Sequence, residues 1–177
     1  MSKDNYNSMA DFNLTEREKG WLEGIIDGEG CISIGKSKSK SSKQGFFWNP
    51  ICVVSNTNLK ICEKVKELFS DTNADYIGGC ITKRQPKLGN SKIIYTFSAK
   101  RYSMKYILPQ IKFIAKERQR EIVIKAMDIL EKYKISNIYG NGQGRPDDIE
   151  NEMIKLYEEM KMLNKRGTRD ATNTKSD

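Results

Sequence analysis

One short stretch limits the architecture more than any other. Thr15-Glu16-Arg17-Glu18 opens a helix, Asp27-Gly28-Glu29-Gly30 closes it, and strand-like sequence follows at once. Thr15 and Glu18 form a capping box, in which a hydroxyl and a carboxylate satisfy otherwise orphaned backbone N–H groups reciprocally. Between these ends Trp21, Leu22, Ile25 and Ile26 make a broad apolar face, while Gly20, Gly24 and Gly28 recur every four residues on another side. Glycine inside a helix costs about 1 kcal/mol against alanine, so a stripe of them implies a compensating benefit. Close approach of a second helix is the obvious one. Two carboxylates, Asp27 and Glu29, are thereby delivered to the point where a helix gives way to a sheet. Taken alone, D-G-E-G is also ordinary turn chemistry.

Residues 31 to 40 alternate apolar and small polar side chains and then become rich in lysine and serine through Lys43, as in a strand running into a basic loop. A returning strand follows over 46–55. An amphipathic helix over 58–70 carries Ile61, Val65, Leu68 and Phe69 on one side. Two strands, 76–85 and 92–100, form a hairpin turning at 86–90. A short helix over 102–108 is stopped by Pro109, and longer helices cover 117–132 and 147–165. The loop between these last two contains Gly140, Gly142 and Gly144, but no strand leads into it, which rejects a dinucleotide-binding site. The order α, β-β, α, β-β, α, α, α predicts a mixed α/β (α+β) domain with a four-stranded antiparallel sheet. Its helices would pack on one face and leave the other, polar face free. A single domain over 14–166 is expected, between a frayed N-terminus (1–13) and a polar tail (167–177).

Composition narrows the chemistry. Lys and Arg number 31 against 23 acids, for a net charge of +8, so a polyanionic partner is expected, usually nucleic acid. The chain has no histidine, which removes His-ligated zinc, Ser-His-Asp triads and nucleases with a histidine base. Cys31, Cys52, Cys62 and Cys80 contain no C-x-x-C pair and read as small buried hydrophobes of a reducing compartment. No apolar run approaches the ~20 residues of a membrane helix, and no signal-peptide layout opens the chain, so the expectation is an intracellular protein without a membrane partner. Phosphodiester hydrolysis without histidine would need carboxylates to hold Mg²⁺, which polarises phosphate and lowers the pKa of water.

Leu22-Glu23-Gly24-Ile25-Ile26-Asp27-Gly28-Glu29-Gly30 resembles the nine-residue motif of the LAGLIDADG homing endonucleases. The element order resembles their ααββαββα-type core, and "VVSNTNLKICEKVKELF" (53–69) is similar to their second strand and following helix. The resemblance runs from residue 15 to about residue 130. There are two departures: Glu23 stands where the family has a small residue, and Glu29 where Asp is commoner. The resemblance implies a LAGLIDADG homing endonuclease-like fold and a site-specific, divalent-metal-dependent DNA endonuclease. Such an enzyme cuts both strands of a long pseudo-palindromic duplex, leaves 3′ overhangs and promotes intron mobility. It implies Mg²⁺ on Glu29 and the Gly28 carbonyl, with Mn²⁺ or Ca²⁺ able to occupy the same sites. Asn56 is the match for a water-ordering residue, with Ser55 its rival, and Lys116 the match for a charge-stabilising lysine; Lys60 is another candidate cation. Asp27 is expected to serve the helix end rather than metal.

A single motif implies a homodimer, with the motif helix paired with its symmetry mate through Gly20, Trp21, Gly24 and Ile25. Double-stranded DNA would lie along the free sheet face. There Ser33, Gly35 and Ser37 of the first strand, and Thr82, Arg84, Thr96 and Ser98 of the hairpin, would reach the bases. Lys36, Lys38, Lys40, Lys43 and Lys87 would track phosphates. The parity of the second strand stays open. The protein would reside in the cytoplasm or organelle matrix, wherever the intron-bearing genome lies. The rival from another class is a non-catalytic binder on the same scaffold, an intron RNA-splicing maturase or a DNA-binding regulator. A basic ribosome-associated protein would explain the charge but not D-G-E-G.

Overall fold

A computed structural model describes residues 13–40, 45–70, 78–85, 92–135 and 146–165. The expected frayed N-terminus before residue 13, Lys43, Lys87, the hairpin turn, the glycine loop and the C-terminal tail lie outside the described residues. The elements follow in the order α1 (Glu16–Glu29), β1 (Gly30–Lys38), β2 (Phe46–Asn56), α2 (Leu59–Leu68), β3 (Gly79–Arg84), β4 (Ile94–Ala99), α3 (Arg101–Ile107), α4 (Glu117–Ile135) and α5 (Asp147–Leu163). Pro109 does not end α3 abruptly; a 3₁₀ turn over Leu108–Gln110 takes proline into its first positions, where its missing N–H is no loss.

The four strands form one antiparallel sheet in the order β1-β2-β4-β3. Alternation then assigns every strand residue a side. Ile32, Ile34, Trp48, Cys52, Val54 and Phe97 point to the helices and are at most 5% exposed. Leu22 and Ile26 of α1, Cys62, Val65 and Leu68 of α2, Met104 and Ile107 of α3 and the apolar stripes of α4 and α5 close the same core. Phe69 and Phe97 meet with ring centroids 5.4 Å apart. Trp48 holds α5 against the sheet, with its ring 5.3 Å from that of Tyr157 and its Nε1–H donating to Glu150 at 3.2 Å. At the other end of α5, Asn164 donates to the Ile32 carbonyl at 3.1 Å, covering part of edge strand β1. No helix among the described residues is long and apolar enough to cross a membrane.

The register corrects two expectations. Only Cys52 and Cys62 are buried; Cys31 and Cys80 are exposed, because each is one residue out of phase with its strand's core-facing positions. Burial pushes the Cys52 thiol up to about 12. The open face is also less polar than expected: odd-numbered residues of β2 face it, among them Phe47, Ile51 and Val53.

Candidate nucleic-acid cleavage site

Helix α1 presents three arcs, as a rotation of about 100° per residue requires. Leu22 and Ile26 enter the core with no exposure. Glu23 and Asp27, one turn apart, face the segment that precedes α4. Gly20, Gly24 and Gly28 remain open: a Cβ added at any of them meets nothing within 4 Å. Trp21 and Ile25 flank this open arc, half-buried. The glycines therefore answer no packing need inside the protomer. Gly30 differs, since its Cβ would sit 2.6 Å from the Ile26 carbonyl oxygen, so the turn from helix to strand needs glycine there.

The second arc is a carboxylate clamp. The backbone N–H of Lys112 donates to Glu23 Oε1 at 2.8 Å. Those of Ile114 and Ala115 donate to Asp27 Oδ2 at 2.6 and 3.3 Å, and that of Lys116 to Asp27 Oδ1 at 3.1 Å. Phe113 N–H donates to Glu117 Oε2 at 2.9 Å. Each consecutive N–H of this non-repetitive segment thus finds an acid, which is how an irregular backbone can pack beside a helix without orphaned donors. Glu23, the departure from the family motif, has its carboxylate turned to Lys112 and away from the glycine arc.

The clamp fixes Lys116. Its Nζ donates to the Ile26 carbonyl at 2.8 Å and to the Asp27 carbonyl. Helix α1 has no basic residue in its own last turn, so this ammonium meets the negative end of the helix dipole. Glu29, the last residue of α1, is exposed and has no hydrogen-bond or ion-pair partner among the described residues. Because Gly30 pairs with Val54, the ladder brings Glu29 beside the end of β2, where Ser55 and Asn56 stand. Asn56 accepts from the Asn58 N–H at 2.8 Å, and Asn58 caps α2 through the Lys60 N–H at 3.1 Å. Ser55 lies on the open face, its Oγ 2.8 Å from Thr96 Oγ1. Glu29, Gly28, Lys116 and the Ser55-Asn56 pair thus gather at one end of the sheet, and the exposed Lys60 lies in the first turn of α2.

An exposed carboxylate beside helix-terminal carbonyls is a hard-oxygen donor set of the kind Mg²⁺ takes, completed by water and substrate phosphate. Among the described residues no group of three or more His, Cys, Asp or Glu could hold a metal by itself. Among the described residues Glu29 is the exposed carboxylate at this helix end, and a fuller donor set needs a second copy or the phosphate.

The reading residues fall into two groups. Ser33, Gly35, Ser37, Thr82, Arg84, Thr96 and Ser98 share the open face, with Thr82, Thr96 and Ser55 in one cross-strand row. Asn164 Nδ2 also approaches Ser33 Oγ at 3.4 Å. Lys36 and Lys38 have the parity of Ile34, and the Lys36 ammonium lies 3.7 Å from the Phe46 ring centroid, a cation–π contact. They stand at the rim of the sheet, apart from the open-face row, and exposed Lys40 follows β1. The sequence leaves Phe47, Asn49, Ile51 and Val53 unassigned, because "FFWNPICVV" carries apolar residues in both parities, and Ile94, which shares the parity of Thr96 on the open face, is passed over. So is Ile114, which is fully exposed beside the clamp.

Glu117 makes the clamp pH-sensitive. The Arg120 guanidinium bonded to it, aided by the Phe113 N–H, holds its carboxyl below the ordinary 4.5, while Arg120 also donates to the Leu108 carbonyl at 3.0 Å. A carboxylate with a lowered folded pKa contributes stability that is full above the unfolded pKa and is lost as pH falls through the folded one. Melting temperature should therefore hold on acidification down to about pH 4.5 and fall below it. Thermal melts of Glu117→Gln should decline less steeply over that lower window; an identical slope in both proteins would contradict the assignment.

A family model described as LAGLIDADG endonuclease matches residues 22–117. The structure of I-CvuI, in complex with the I-CreI target in the presence of Mg with the DNA not cleaved, superimposes with a TM-score of 0.63 at 17% identity, covering 86% of this chain and 85% of that one. An archaeal intron-encoded homing endonuclease, I-Vdi141I, complexed with DNA, gives 0.62 at 17% identity over 87% and 88%. I-AabMI bound to uncleaved DNA gives 0.59 at 15% identity, covering 84% of this chain but 47% of that one. At these identities the likenesses establish the fold. No curated protein matches by sequence.

Proposed function

This chain belongs to the LAGLIDADG endonuclease family, and on that premise we propose that two copies of it form a site-specific, Mg²⁺-dependent homing endonuclease. The enzyme hydrolyses both strands of a long pseudo-palindromic duplex, leaves 3′ overhangs and promotes the mobility of the intron that encodes it. The observation that carries the reading is Glu29: an exposed carboxylate at the end of the motif helix, without a partner among the described residues, with the Lys116 ammonium drawn to the same helix end. A Mg²⁺ ion bound there would polarise the scissile phosphate and supply hydroxide near neutral pH. Glu29 and the Gly28 carbonyl hold the cation. Lys116 offsets negative charge that grows on the phosphate, and its tie to the helix carbonyls keeps it in place. Ser55 or Asn56, beside Glu29, orders the attacking water. The open face lies in the major groove, where Ser33, Gly35, Ser37, Thr82, Arg84, Thr96 and Ser98 reach base edges while Lys36, Lys38 and Lys40 meet phosphates at the rim.

The open glycine arc of α1 supports the dimer. Gly20 and Gly24, flanked by Trp21 and Ile25, would let two α1 helices cross closely, bringing one Glu29 from each chain to each end of the cut. Gly24→Ala separates protomer from assembly. The protomer helix should gain about 1 kcal/mol, since the new methyl meets nothing, while the dimer dissociation constant rises about tenfold or more from lost close packing. Sedimentation equilibrium measures the latter, and unchanged association would place the interface elsewhere.

The function is tested by incubating duplex DNA that spans the intron-insertion site with the protein and Mg²⁺, and again with EDTA. Double-strand cleavage only with Mg²⁺ is expected. Tight binding without cleavage under both conditions would favour the maturase or regulator.

A further inference from the structure

The open sheet face carries more apolar surface than one left to water would. Phe47, Ile51 and Val53 stand along β2, a central strand, and face away from the helices. Phe47 is 48% exposed, and Ile94 on β4 is 37% exposed on the same face. Ile51 pairs with Ser33 and leans across to Gly35, where an added Cβ would come within 2.8 Å of its Cδ1, so the missing side chain at Gly35 leaves the isoleucine room. Around this stripe the face is polar, with Arg84 at its far edge, and the chain carries a net charge of +8. An apolar stripe inside a polar face with Arg84, Lys36 and Lys38 at its rim fits a polyanion that bears apolar protrusions better than it fits a protein helix.

Duplex DNA has one such protrusion in its major groove, the thymine 5-methyl group. We infer that Phe47, Ile51 and Val53 form an apolar reading stripe that seats against thymine methyls of the target. The inference rests on the DNA-cleaving function proposed above and deepens it by naming what the central strand reads. Residues on one side of a strand repeat every ~6.7 Å, close to two steps of the ~3.4 Å spacing of phosphates along one DNA strand. Phe47 and Ile51, separated by four residues, therefore span roughly four base-pair steps, and Val53 roughly two more. RNA does not fit: uracil lacks the methyl, and the A-form major groove is too deep and narrow for side chains to read.

The test begins with duplexes selected by the wild-type protein from a random-sequence pool in Ca²⁺ buffer. The tightest is then remade with deoxyuridine at every thymine, which removes the methyls and keeps every Watson–Crick and groove hydrogen-bonding atom. Wild type should bind the deoxyuridine copy about tenfold more weakly. Phe47→Asn and Ile51→Asn should bind both duplexes with nearly equal affinity. Equal wild-type affinity for the two duplexes would overturn the stripe while leaving DNA recognition intact. The same tenfold loss in both variants would also overturn it, since the loss would then lie in DNA shape. If no duplex is enriched at all, the proposed function itself falls.

Discussion

Glu29→Gln should abolish double-strand cleavage, with a rate loss of roughly a thousandfold or more, while binding to target DNA is retained. The substitution keeps shape and a carbonyl oxygen and removes only the charge. Glu29 is exposed at the end of α1 and has no partner among the described residues, so no hydrogen bond of the fold depends on it. Melting temperature should be unchanged. Loss of activity without loss of binding or stability is the signature of a group that acts in the chemical step rather than through the scaffold. Cleavage assays under single-turnover conditions and gel-shift titrations in Ca²⁺ measure the two halves. Full cleavage by Glu29→Gln would remove the metal-site assignment.

Asp27→Ala should do the reverse, costing stability first. Its carboxylate accepts from the N–H groups of Ile114, Ala115 and Lys116. Truncation leaves these donors without their acceptor beside a packed helix, and partial access of water softens the loss. A cost of about 3 kcal/mol is expected, which for a chain of this size lowers melting by roughly 10 °C. Asp27→Asn, which keeps one acceptor oxygen, should fall between. Because dimerisation links stability to concentration, the melts belong at one fixed protomer concentration. An unchanged melting temperature in Asp27→Ala would mean that the segment over 112–116 is held by other contacts. The two acids of D-G-E-G thus separate experimentally: one variant loses chemistry and keeps its stability, the other loses stability first.

Much of the architecture can be read from local sequence. The capping box at Thr15 forms as its residue types require, with Thr15 N–H to Glu18 Oε2 at 2.9 Å and Glu18 N–H to Thr15 Oγ1 at 3.3 Å. Alternation in "CISIGKS" already separates Ile32 and Ile34 from Ser33, Gly35 and Ser37. The hairpin face of Thr82, Arg84, Thr96 and Ser98 is nearly as plain, because Ile81, Tyr95 and Phe97 mark the opposite parity. The same logic fails in β2: both parities of "FFWNPICVV" are apolar, so nothing in the strand says which side meets the helices.

The sequence by itself determined the elements, their order, the family and the acid that ends the motif helix, because caps, periodicity and motif spacing depend on residues close along the chain. Tertiary structure alone decided the side of β2, the fate of Glu23 and the position of Lys116. Glu23 meets the backbone of Lys112 across 89 residues, and Lys116 reaches the carbonyls of Ile26 and Asp27 across a similar separation. Which donor finds which acceptor over such distances depends on how α1 and the approach to α4 pack together. That packing is set by the one core in which α1 and α4 both lie against the sheet, and no local pattern encodes it.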